Sequence, residues 1–484
     1  MKWETVIGLE VHAELSTKSK IFCACANAHG GEPNTRVCPV CLGLPGALPK
    51  LNRAAVECAL RVGLALGCSI ARRCGFDRKN YFYPDLPKGY QITQMHEPIC
   101  RGGSIEIEID GAKKAIGISQ IHMEEDSGKL IHDPRGSGTL IDLNRSGVPL
   151  LEIVSLPDAK SAGEAVAYLE RLRETLLYLG VCDCKMQEGS FRADVNISVR
   201  PNAARIEGGQ MGERVEIKNL NSFKAVRRAI EAEAARQIEA LESGGHVARE
   251  TRRWDDEKGL STAMRSKEAD GDYRAFPEPD LPPAHIDDAW IAAATESLPE
   301  LAHQKRERFV RAYGLCERDA AALTARRNVC ALFEALAERS GEPIESARLV
   351  IGEIMRLMNE SGAQEEDPLP DAGKLSTLIG LLLSAKINRR AYKETVEAVF
   401  MRGADPETHI AENSLEMSRD DEAASQAASA ALSENPEAAR QYHEGKTKAL
   451  DFLMGQTMKK LGGTGNPATA RKALEDALAA SVQT

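Results

Sequence analysis

The sequence lacks the features of secreted and membrane-spanning proteins. Its first residues, MKWETVIGLEVH, contain no basic stretch followed by an apolar one, and no apolar run approaches the roughly 18 residues that a membrane-spanning helix needs. Positive charge is also in deficit, because 62 Lys and Arg against 72 Asp and Glu give a net charge of −10. We therefore expect a cytoplasmic protein without membrane contact. Overall positive charge cannot drive nucleic-acid binding here, so an RNA partner needs local basic patches.

Several common catalytic motifs are missing as well. The GKT string at 445–447 follows Arg440, at the position where a P-loop requires glycine, so the segment is predicted to be part of a helix surface. The sequence contains neither a GxSxG elbow nor the Ser-Ser-Lys signature of an amidase. These absences argue against a P-loop nucleotidase, an α/β-hydrolase and a chain that releases ammonia from glutamine by itself.

Strand-like and helical patterns divide the chain into three predicted regions. Short alternating β-type runs dominate the first part, and two helical stretches, 161–180 and 221–245, interrupt them. The Pro-rich segment 276–283 ends this part, and beyond it Ala, Leu, Glu and Arg recur at helical spacing. The strands do not alternate with helices as in a doubly wound fold, so an α+β class is predicted. Its parts are a mostly antiparallel-sheet cradle domain with flanking helices (1–290), an all-helical domain (291–403) and a small helical tail domain (404–484).

The densest set of candidate metal ligands is in FCACANAHGGEPNTRVCPVC, residues 22–41. Four of the 12 cysteines lie here, as Cys23-x-Cys25 and Cys38-x-x-Cys41, within turn-forming residues. Cytoplasmic thiols stay reduced, which favours a metal site over disulfides. Four thiolates complete the tetrahedral shell of a structural zinc ion and leave no open position. The CxC pair is one residue tighter than the usual spacing, and free thiols remain the alternative.

Polar residues at alternate strand positions form a second candidate site. Residues i and i+2 of a strand share a face, so each pair projects together. Carboxylate, imidazole and lysine groups on one face suit a divalent cation and a phosphate, although solvated strand faces give the same pattern. The patterns are Glu10 with His12, the run 122–126, Asp194 with Asn196, and Glu216 with Lys218.

The loop DRKNYFYPDLPKGYQIT, residues 77–93, combines aromatic and basic residues with prolines and glycine that favour turns. Aromatic rings beside Lys or Arg suit a nucleotide or a nucleic-acid base. Packing of the aromatics within a structured loop explains the composition equally well.

Taken together, the motifs resemble the GatB family, the B subunits of aspartyl/glutamyl-tRNA amidotransferases. The resemblance covers essentially the whole chain, and no single short motif carries it. The matching strings are VIGLEVHAEL, TKSKIFC, EPNTRVCPVCLGLPGALPKLN, FDRKNYFYPDLPKGYQI, IHMEEDSGKLIHD, GVPLLEIVS, EGSFRADVNISVRP, VEIKNLNSF, ETRRWD, FPEPDLPP and GKTKALDFLMGQTMKKLGGTGNP. One departure is Ala275, which stands where the family usually has an aromatic before FPEPD.

The resemblance implies an ATP- and Mg²⁺-dependent ligase that works within a heterotrimer. It phosphorylates the side-chain carboxylate of Glu mischarged on tRNA(Gln), or of Asp on tRNA(Asn). Ammonia from a partner amidase subunit then displaces phosphate, and a third, small subunit wraps the heterotrimer. The sequence does not distinguish the two tRNA substrates. A tRNA-binding scaffold without catalysis of its own and a stand-alone ATP-dependent amide ligase are the alternative functions.

The resemblance also implies roles for individual residues. The choice between Glu124 and Glu125 stays open, because strand alternation would place Glu124 with His122 and Asp126. Expected catalytic residues are Glu10, His12, Glu125, Asp194 and Glu216; expected Mg²⁺ ligands are His12, Glu124, Glu125 and Glu152; Lys88 and Lys218 are expected phosphate contacts, and Cys23, Cys25, Cys38 and Cys41 zinc ligands. Candidate tRNA contacts are Lys386, Arg389, Arg390, Lys459 and Lys460, for which solvated helix surfaces are the alternative.

Overall fold

The computed structural model describes residues 3–132, 136, 138–201, 212–266, 273–363, 367–417, 421–462 and 465–481. The chain divides into two compact units, Met1–Leu301 and Ala302–Thr484. In the described residues, the strands belong to the first unit and the second unit is helical. The predicted α+β class, with a sheet domain followed by helices, is thus confirmed.

The strands of the first unit are short apart from β1, β8 and β12, which form the middle of the main sheet together with β11. Their bounds are β1 (Trp3–Glu14), β2 (Ser69–Ile70), β3 (Arg73–Cys74), β4 (Asp77–Asn80), β5 (Tyr90–Thr93), β6 (Cys100–Arg101), β7 (Ser104–Ile109), β8 (Ala112–Glu125), β9 (Lys129–His132), β10 (Thr139–Asp142), β11 (Pro149–Ser155), β12 (Phe191–Pro201), β13 (Val215–Lys218), β14 (Glu250–Asp255), β15 (Leu260–Ser266), β16 (Phe276–Pro277) and β17 (Ala284–His285).

The main sheet has the strand order β15-β14-β13-β12-β1-β11-β8-β6-β2, and β7 forms a hairpin with β8. Neighbouring strands are antiparallel except β13 and β14, which run parallel. The mostly antiparallel sheet expected from the sequence is confirmed. Three smaller sheets, β16-β4-β5, β17-β3 and β10-β9, lie outside it.

One face of the main sheet is apolar and supports helices α1 (Arg53–Ala65), α2 (Ala162–Leu179) and α3 (Phe223–Glu242). Strand alternation explains this, because Leu9, Val11 and Ala13 of β1 are buried while the residues between them are polar. Burial of each large apolar side chain stabilises the fold by roughly 1.5–3 kcal/mol. The Ser222 side chain caps α3 by accepting the Ala225 N–H.

Helix α4 (Asp288–Glu296) also packs within the first unit. The Trp290 indole donates to the Glu57 carboxylate of α1, and the Arg53 guanidinium lies 4.0 Å from the Trp290 ring centroid. The first unit accordingly continues to Leu301. The division of the chain at 290 and 403 stays a prediction.

The helices of the second unit are α5 (Ala302–Tyr313), α6 (Glu317–Thr324), α7 (Arg327–Ser340), α8 (Pro343–Leu349), α9 (Met355–Ser361), α10 (Ala372–Leu383), α11 (Arg389–Arg402), α12 (Pro406–Glu412), α13 (Asp421–Glu434), α14 (Pro436–His443), α15 (Lys448–Lys460) and α16 (Pro467–Ser481). A π-helical segment, Val350–Ile354, joins α8 to α9. Near the end of the chain, Ala428, Leu453, Leu474 and Leu478 form a buried apolar core. Within the described part of the chain, every helix is too short or too polar to cross a membrane.

Candidate active site and cysteine cluster

Strand pairing gathers polar side chains from five strands on the sheet face opposite the helices. Glu10 faces Asp194 across β1 and β12, and His12 faces Glu152 across β1 and β11. Each position is far from its partners in sequence, so the register brings them together. We call this set the acidic face. Its members are Glu10, His12, His122, Glu124, Glu152, Asp194, Asn196, Glu216 and Lys218.

One end of the acidic face is the histidine group, which consists of His12, Glu124 and Glu152. The His12 Nε2 lies 3.6 Å from Glu152 Oε2 and 3.8 Å from Glu124 Oε1. His122 approaches from β8, with Nε2 3.0 Å from Glu152 Oε2. Thr93 Oγ1 donates to Glu124 Oε2 over 3.3 Å. One donor atom from each group member lies within 4.8 Å of the others, so the three residues could hold a metal ion.

The carboxylates control protonation in the histidine group. Burial opposes a charge on His12, but the carboxylates of Glu152, Glu124 and Asp194 outweigh burial and raise the pKa of His12 to about 9. The pKa of His122 is raised in the same way, against burial, by Glu152 and Glu124. Although burial favours its neutral form, Glu152 has its pKa held well below the usual value by the two imidazoles. His12 therefore carries positive charge at neutral pH when no metal ion competes for Glu152, and the same carboxylates favour protonation of His122.

The other end is the carboxylate group, which consists of Glu10, Asp194 and Glu216. Their oxygens also lie within 4.8 Å of one another. Lys218 pairs with Asp194 and lies 3.2 Å from Glu216 Oε1, while Asn196 Nδ2 donates to Glu10 Oε1 over 2.7 Å. Burial and the neighbouring carboxylates raise the pKa of Glu10, and Asp194 and Glu216 raise the pKa of Lys218 despite burial. The group is thus a partly neutralised acidic site.

The donor chemistry of both groups fits a divalent cation. Mg²⁺ prefers carboxylate oxygens and retains open positions for phosphate and water, and the imidazole in the histidine group adds a nitrogen that Mn²⁺ or Zn²⁺ would accept. Each group supplies three donors, which leaves coordination positions for a substrate. All six members of the two groups, and Lys218 beside them, are among the catalytic, metal-binding and phosphate-binding residues expected from the sequence.

Glu125, which the resemblance implies as a Mg²⁺ ligand with His12 and Glu152, lies apart from them, and Lys88, an expected phosphate contact, also lies outside the acidic face. Glu125 follows Glu124 on β8 and therefore projects to the opposite side. Its carboxylate pairs with the Lys88 ammonium and accepts the Ile92 N–H at 2.9 Å. This buried pair lines a cavity of about 100 Å³ together with Tyr90 and part of the cysteine loop. Strand alternation thus places Glu124, not Glu125, in the metal-binding group.

The four cysteines of the 22–41 loop come together as predicted. The Sγ atoms of Cys23, Cys25, Cys38 and Cys41 lie within 4.8 Å of one another, and those of Cys38 and Cys41 are 3.9 Å apart. The Cys38 N–H points at Cys41 Sγ over 3.1 Å. The cluster could hold a structural metal ion, and four sulfurs would complete its tetrahedral shell.

One thiol of the cluster is poised to ionise. The pKa of Cys41 is lowered to about 5, chiefly because the Cys23 thiol donates to its sulfur, and further by the Cys38 N–H and the Lys20 ammonium. Lys20 is fully buried, with Nζ 2.8 Å from the Arg36 carbonyl oxygen and 3.8 Å from Cys41 Sγ. Lys20 thus offsets negative charge on the thiolates.

The basic residues considered for tRNA contact are exposed on the second unit. Lys386 precedes α11, and Arg389 and Arg390 begin that helix. Lys459 and Lys460 end α15. Arg389 lies 3.5 Å from the Glu345 carboxylate and Lys460 lies 2.5 Å from Glu434 Oε1. Their charges are therefore partly offset by acids of the same unit.

Three residues around these sites received no individual role from the sequence, although His122 and Asn196 lie in the strand patterns named there. His122 and Asn196 belong to the acidic face, and each stands two positions from an assigned acid, so strand alternation was a usable signal. Lys20 lies in the TKSKIFC string, but its burial beside the thiols depends on the loop fold and has no local signal.

The chain matches two protein-family models. Residues 5–292 match a model described as the GatB/GatE catalytic domain, and residues 331–478 match one described as a GatB domain. The acidic face and the four cysteines all lie within the first match.

The chain is also similar to curated proteins named as the B subunit of aspartyl/glutamyl-tRNA(Asn/Gln) amidotransferase. It is 51% identical to the protein of Lachnoclostridium phytofermentans, over 98% of this chain and 99% of the relative. Identity is 50% with the protein of Caldicellulosiruptor bescii, over 99% of each chain. With that of Thermoanaerobacter pseudethanolicus identity is 48%, over 99% of this chain and 100% of the relative.

Proposed function

Because the chain belongs to the GatB family of tRNA-dependent amidotransferase subunits, we propose that it forms the side-chain amide of Gln-tRNA(Gln), Asn-tRNA(Asn) or both. The substrates are Glu or Asp mischarged on these tRNAs, ATP, and ammonia from a glutaminase partner. The observation that carries this proposal is the acidic face, where the histidine group and the carboxylate group lie side by side. Each group has one member on β1, His12 and Glu10 respectively.

The proposed chemistry needs positioning and charge more than a covalent nucleophile. A carboxylate is a poor acyl donor until one of its oxygens leaves as phosphate, so the side-chain carboxylate attacks the γ-phosphorus of ATP and ADP departs. Ammonia then attacks the acyl carbon and phosphate leaves. Bound Mg²⁺ would neutralise charge on phosphate oxygens. The histidine group and the carboxylate group would hold the cations, and Lys218 would face the transferred phosphoryl group.

The histidines and Lys218 have defined electrostatic tasks in this scheme. His122 donates toward Glu152 and fixes the orientation of a metal-binding carboxylate. Lys218 keeps its proton because Asp194 and Glu216 raise its pKa, so it stays cationic at neutral pH. Lys88, by contrast, lies outside the acidic face in an ion pair with Glu125, so its placement gives no support for a phosphate contact.

The assembly proposed for the chain follows its family. We infer a cytoplasmic heterotrimer in which an amidase subunit supplies ammonia, while a third, small subunit wraps the complex. The exposed Lys386, Arg390 and Lys459 are proposed tRNA contacts on the second unit. The cysteine cluster is proposed to hold zinc with a structural role, because four sulfurs leave no position for substrate.

The test is amide formation by assembled complexes that carry Asp194→Asn or Glu216→Gln. Both changes remove one negative charge and keep the side-chain shape, so loss of activity reports the site and not the fold. Glu108→Gln is the matched control, because Glu108 is exposed on the β7 edge strand. Each complex is assayed on Glu-tRNA(Gln) and on Asp-tRNA(Asn), which also identifies the substrate. Normal rates for both site variants would return the chain to the role of a tRNA-binding scaffold.

A further inference from the structure

The parallel pairing of β13 and β14 extends the acidic face beyond Lys218. In this register Glu216 faces Thr251 and Lys218 faces Arg253. The Thr251 hydroxyl donates to Glu216 Oε2 over 2.7 Å, which shows that paired residues share a face here. Arg253 therefore projects from the acidic face, one strand outward from Lys218.

Two neighbouring arginines of β14 have opposite environments. Arg252 is held by Ser261 Oγ at 2.7 Å and by Glu250 Oε1 at 2.5 Å, with Glu233 Oε2 at 3.6 Å. Arg253 is exposed, and of the residues that the structure describes none forms a hydrogen bond or ion pair with its guanidinium. Arg252 thus stabilises the fold, whereas the exposed Arg253 is unpaired among the described residues.

The backbone that carries Arg253 is fixed on both sides. Asn219, which follows Lys218, donates to the Trp254 carbonyl oxygen over 3.0 Å. The Trp254 side chain is buried, and its Nε1 donates to Asp256 Oδ1 over 3.1 Å. The strand therefore presents Arg253 from a defined position without using its side chain in the fold.

The net charge of the carboxylate group indicates why a further cation such as Arg253 would help to bind a phosphate. Three carboxylates face the ammonium of Lys218, and Lys218 is already paired with two of them. An incoming phosphate would meet net negative charge unless further cations were present. Arginine offers a planar set of N–H donors that matches phosphate oxygens, and its charge persists at all relevant pH values.

We propose that Arg253 binds phosphate oxygens of a substrate that lies across the acidic face. This inference rests on the proposed function. The phosphate belongs either to the triphosphate of ATP or to the backbone of the tRNA acceptor end, and both present the same anionic oxygens. Arg253 is a substrate-binding residue in this account, and Lys218 remains the cation nearest to the carboxylates.

The experiment compares the Michaelis constants of the assembled complex after Arg253→Gln. We expect a roughly 10- to 100-fold rise in the KM for ATP or in the KM for mischarged tRNA, as for loss of a charge-assisted hydrogen bond, with kcat changed only a few-fold. A rise for ATP, with weaker binding of inorganic tripolyphosphate, identifies the nucleotide. A rise for tRNA alone, with a shallower salt dependence, identifies the RNA backbone.

Two further variants make the result decisive. Arg253→Lys keeps the positive charge but lacks the planar set of guanidinium donors, so it should recover part of the affinity that Arg253→Gln loses. Arg249→Gln removes an exposed arginine just before β14 and should leave both constants unchanged. Unchanged constants in Arg253→Gln would overturn the inference. If Asp194→Asn were inactive at the same time, the proposed function would still stand. Normal activity of Asp194→Asn and Glu216→Gln, together with unchanged constants in Arg253→Gln, would remove the proposed function as well.

Discussion

The acidic face and the cysteine cluster are both sets of donors within 4.8 Å of one another, yet they are built in different ways. The four cysteines lie within 19 consecutive residues, so a single short segment supplies all the sulfurs. Bonds to residues 141–147 hold this loop, among them Asn34 Nδ2 to the Ile141 carbonyl oxygen and the Arg36 N–H to Asn144 Oδ1. The acidic face draws its side chains from β8, β1, β11, β12 and β13, which span more than 200 residues. Pairing of these five strands is what forms it.

The two sites also differ in what they leave open. Four sulfurs fill a tetrahedral shell, so a metal ion held by the cysteines has no position for substrate. The histidine and carboxylate groups offer three donors each, and cationic side chains stand beside them. The proposed function therefore assigns a stabilising role to the cysteine cluster and the chemistry to the acidic face. Experiments that separate activity from stability can test this division.

The largest expected effect is on catalysis by the histidine group. Glu124→Gln removes one of three cation-binding donors and should lower kcat for amide formation roughly 100- to 1000-fold, comparable to loss of a key electrostatic contact. The melting temperature should change little, because amide and carboxylate have the same shape. The control is Glu108→Gln, measured in the same assembled complex. A decrease below about threefold would contradict the assignment of Glu124.

The next effect concerns pH. The pKa of His12 is about 9 in the metal-free protein, so a proton competes with a divalent cation for this imidazole. Calorimetric titration with Mn²⁺ should show affinity rising by up to about tenfold per pH unit between pH 6.5 and 8.5. Affinity that is flat over this range would argue against His12 as a ligand.

The raised pKa of His12 also makes the free energy of unfolding depend on pH, and the direction of the shift fixes the sign of that dependence. The folded pKa of His12 exceeds its ordinary value of 6.5, so protonation of His12 stabilises the metal-free fold fully below pH 6.5. That contribution should decline as pH rises through about 9. Denaturant unfolding of metal-free Glu152→Gln should show a weaker decline, because Glu152 is the main partner that raises the pKa.

A moderate effect is expected from the cysteine cluster. Cys38→Ser should abolish binding of about one zinc per chain and lower the melting temperature by roughly 2–5 °C, as a loss of a few kcal/mol does in a protein of this size. Amide formation per folded complex should stay within a few-fold of normal. The matched control is Cys316→Ser, because Cys316 is exposed and outside the cluster. A complete loss of activity in folded Cys38→Ser would show that catalysis requires the cysteine cluster, which contradicts a purely structural role.

The smallest effect is expected at the basic residues of the second unit. Lys459→Gln or Arg390→Gln should raise the KM for mischarged tRNA only a few-fold and reduce its salt dependence by about one phosphate contact each. Lys460→Gln should have less effect, because Glu434 already offsets that charge. The KM for ATP serves as the internal control. If all three variants left tRNA binding and its salt dependence unchanged, this surface would not be the tRNA contact.

The sequence predicted these two regions to different depths for a physical reason. The cysteine pairs and the helical stretch 161–180 are local, so spacing and residue type suffice to place them. The α+β class followed from periodicity in the same way. The acidic face depends on register, and although alternation along one strand indicated Glu124 over Glu125, the sequence could not decide between them.

Other features depend on tertiary packing and had no sequence signal of their own. Lys88 pairs with Glu125 because the β4–β5 sheet packs beside the end of β8, which no pattern in residues 77–93 specifies. Lys20 is buried beside the thiols because the loop folds back over it. The continuation of the first unit through α4 depends on the contact of Trp290 with α1.

The most direct test of the division between the two regions is a single-turnover measurement of ADP formation on mischarged tRNA. It compares assembled complexes that carry Glu152→Gln or Cys38→Ser, each adjusted for its folded fraction. The account predicts that Glu152→Gln reduces tRNA-dependent ADP formation by at least roughly 100-fold, while Cys38→Ser proceeds at a nearly normal rate. A normal rate in Glu152→Gln together with a loss in Cys38→Ser would contradict it.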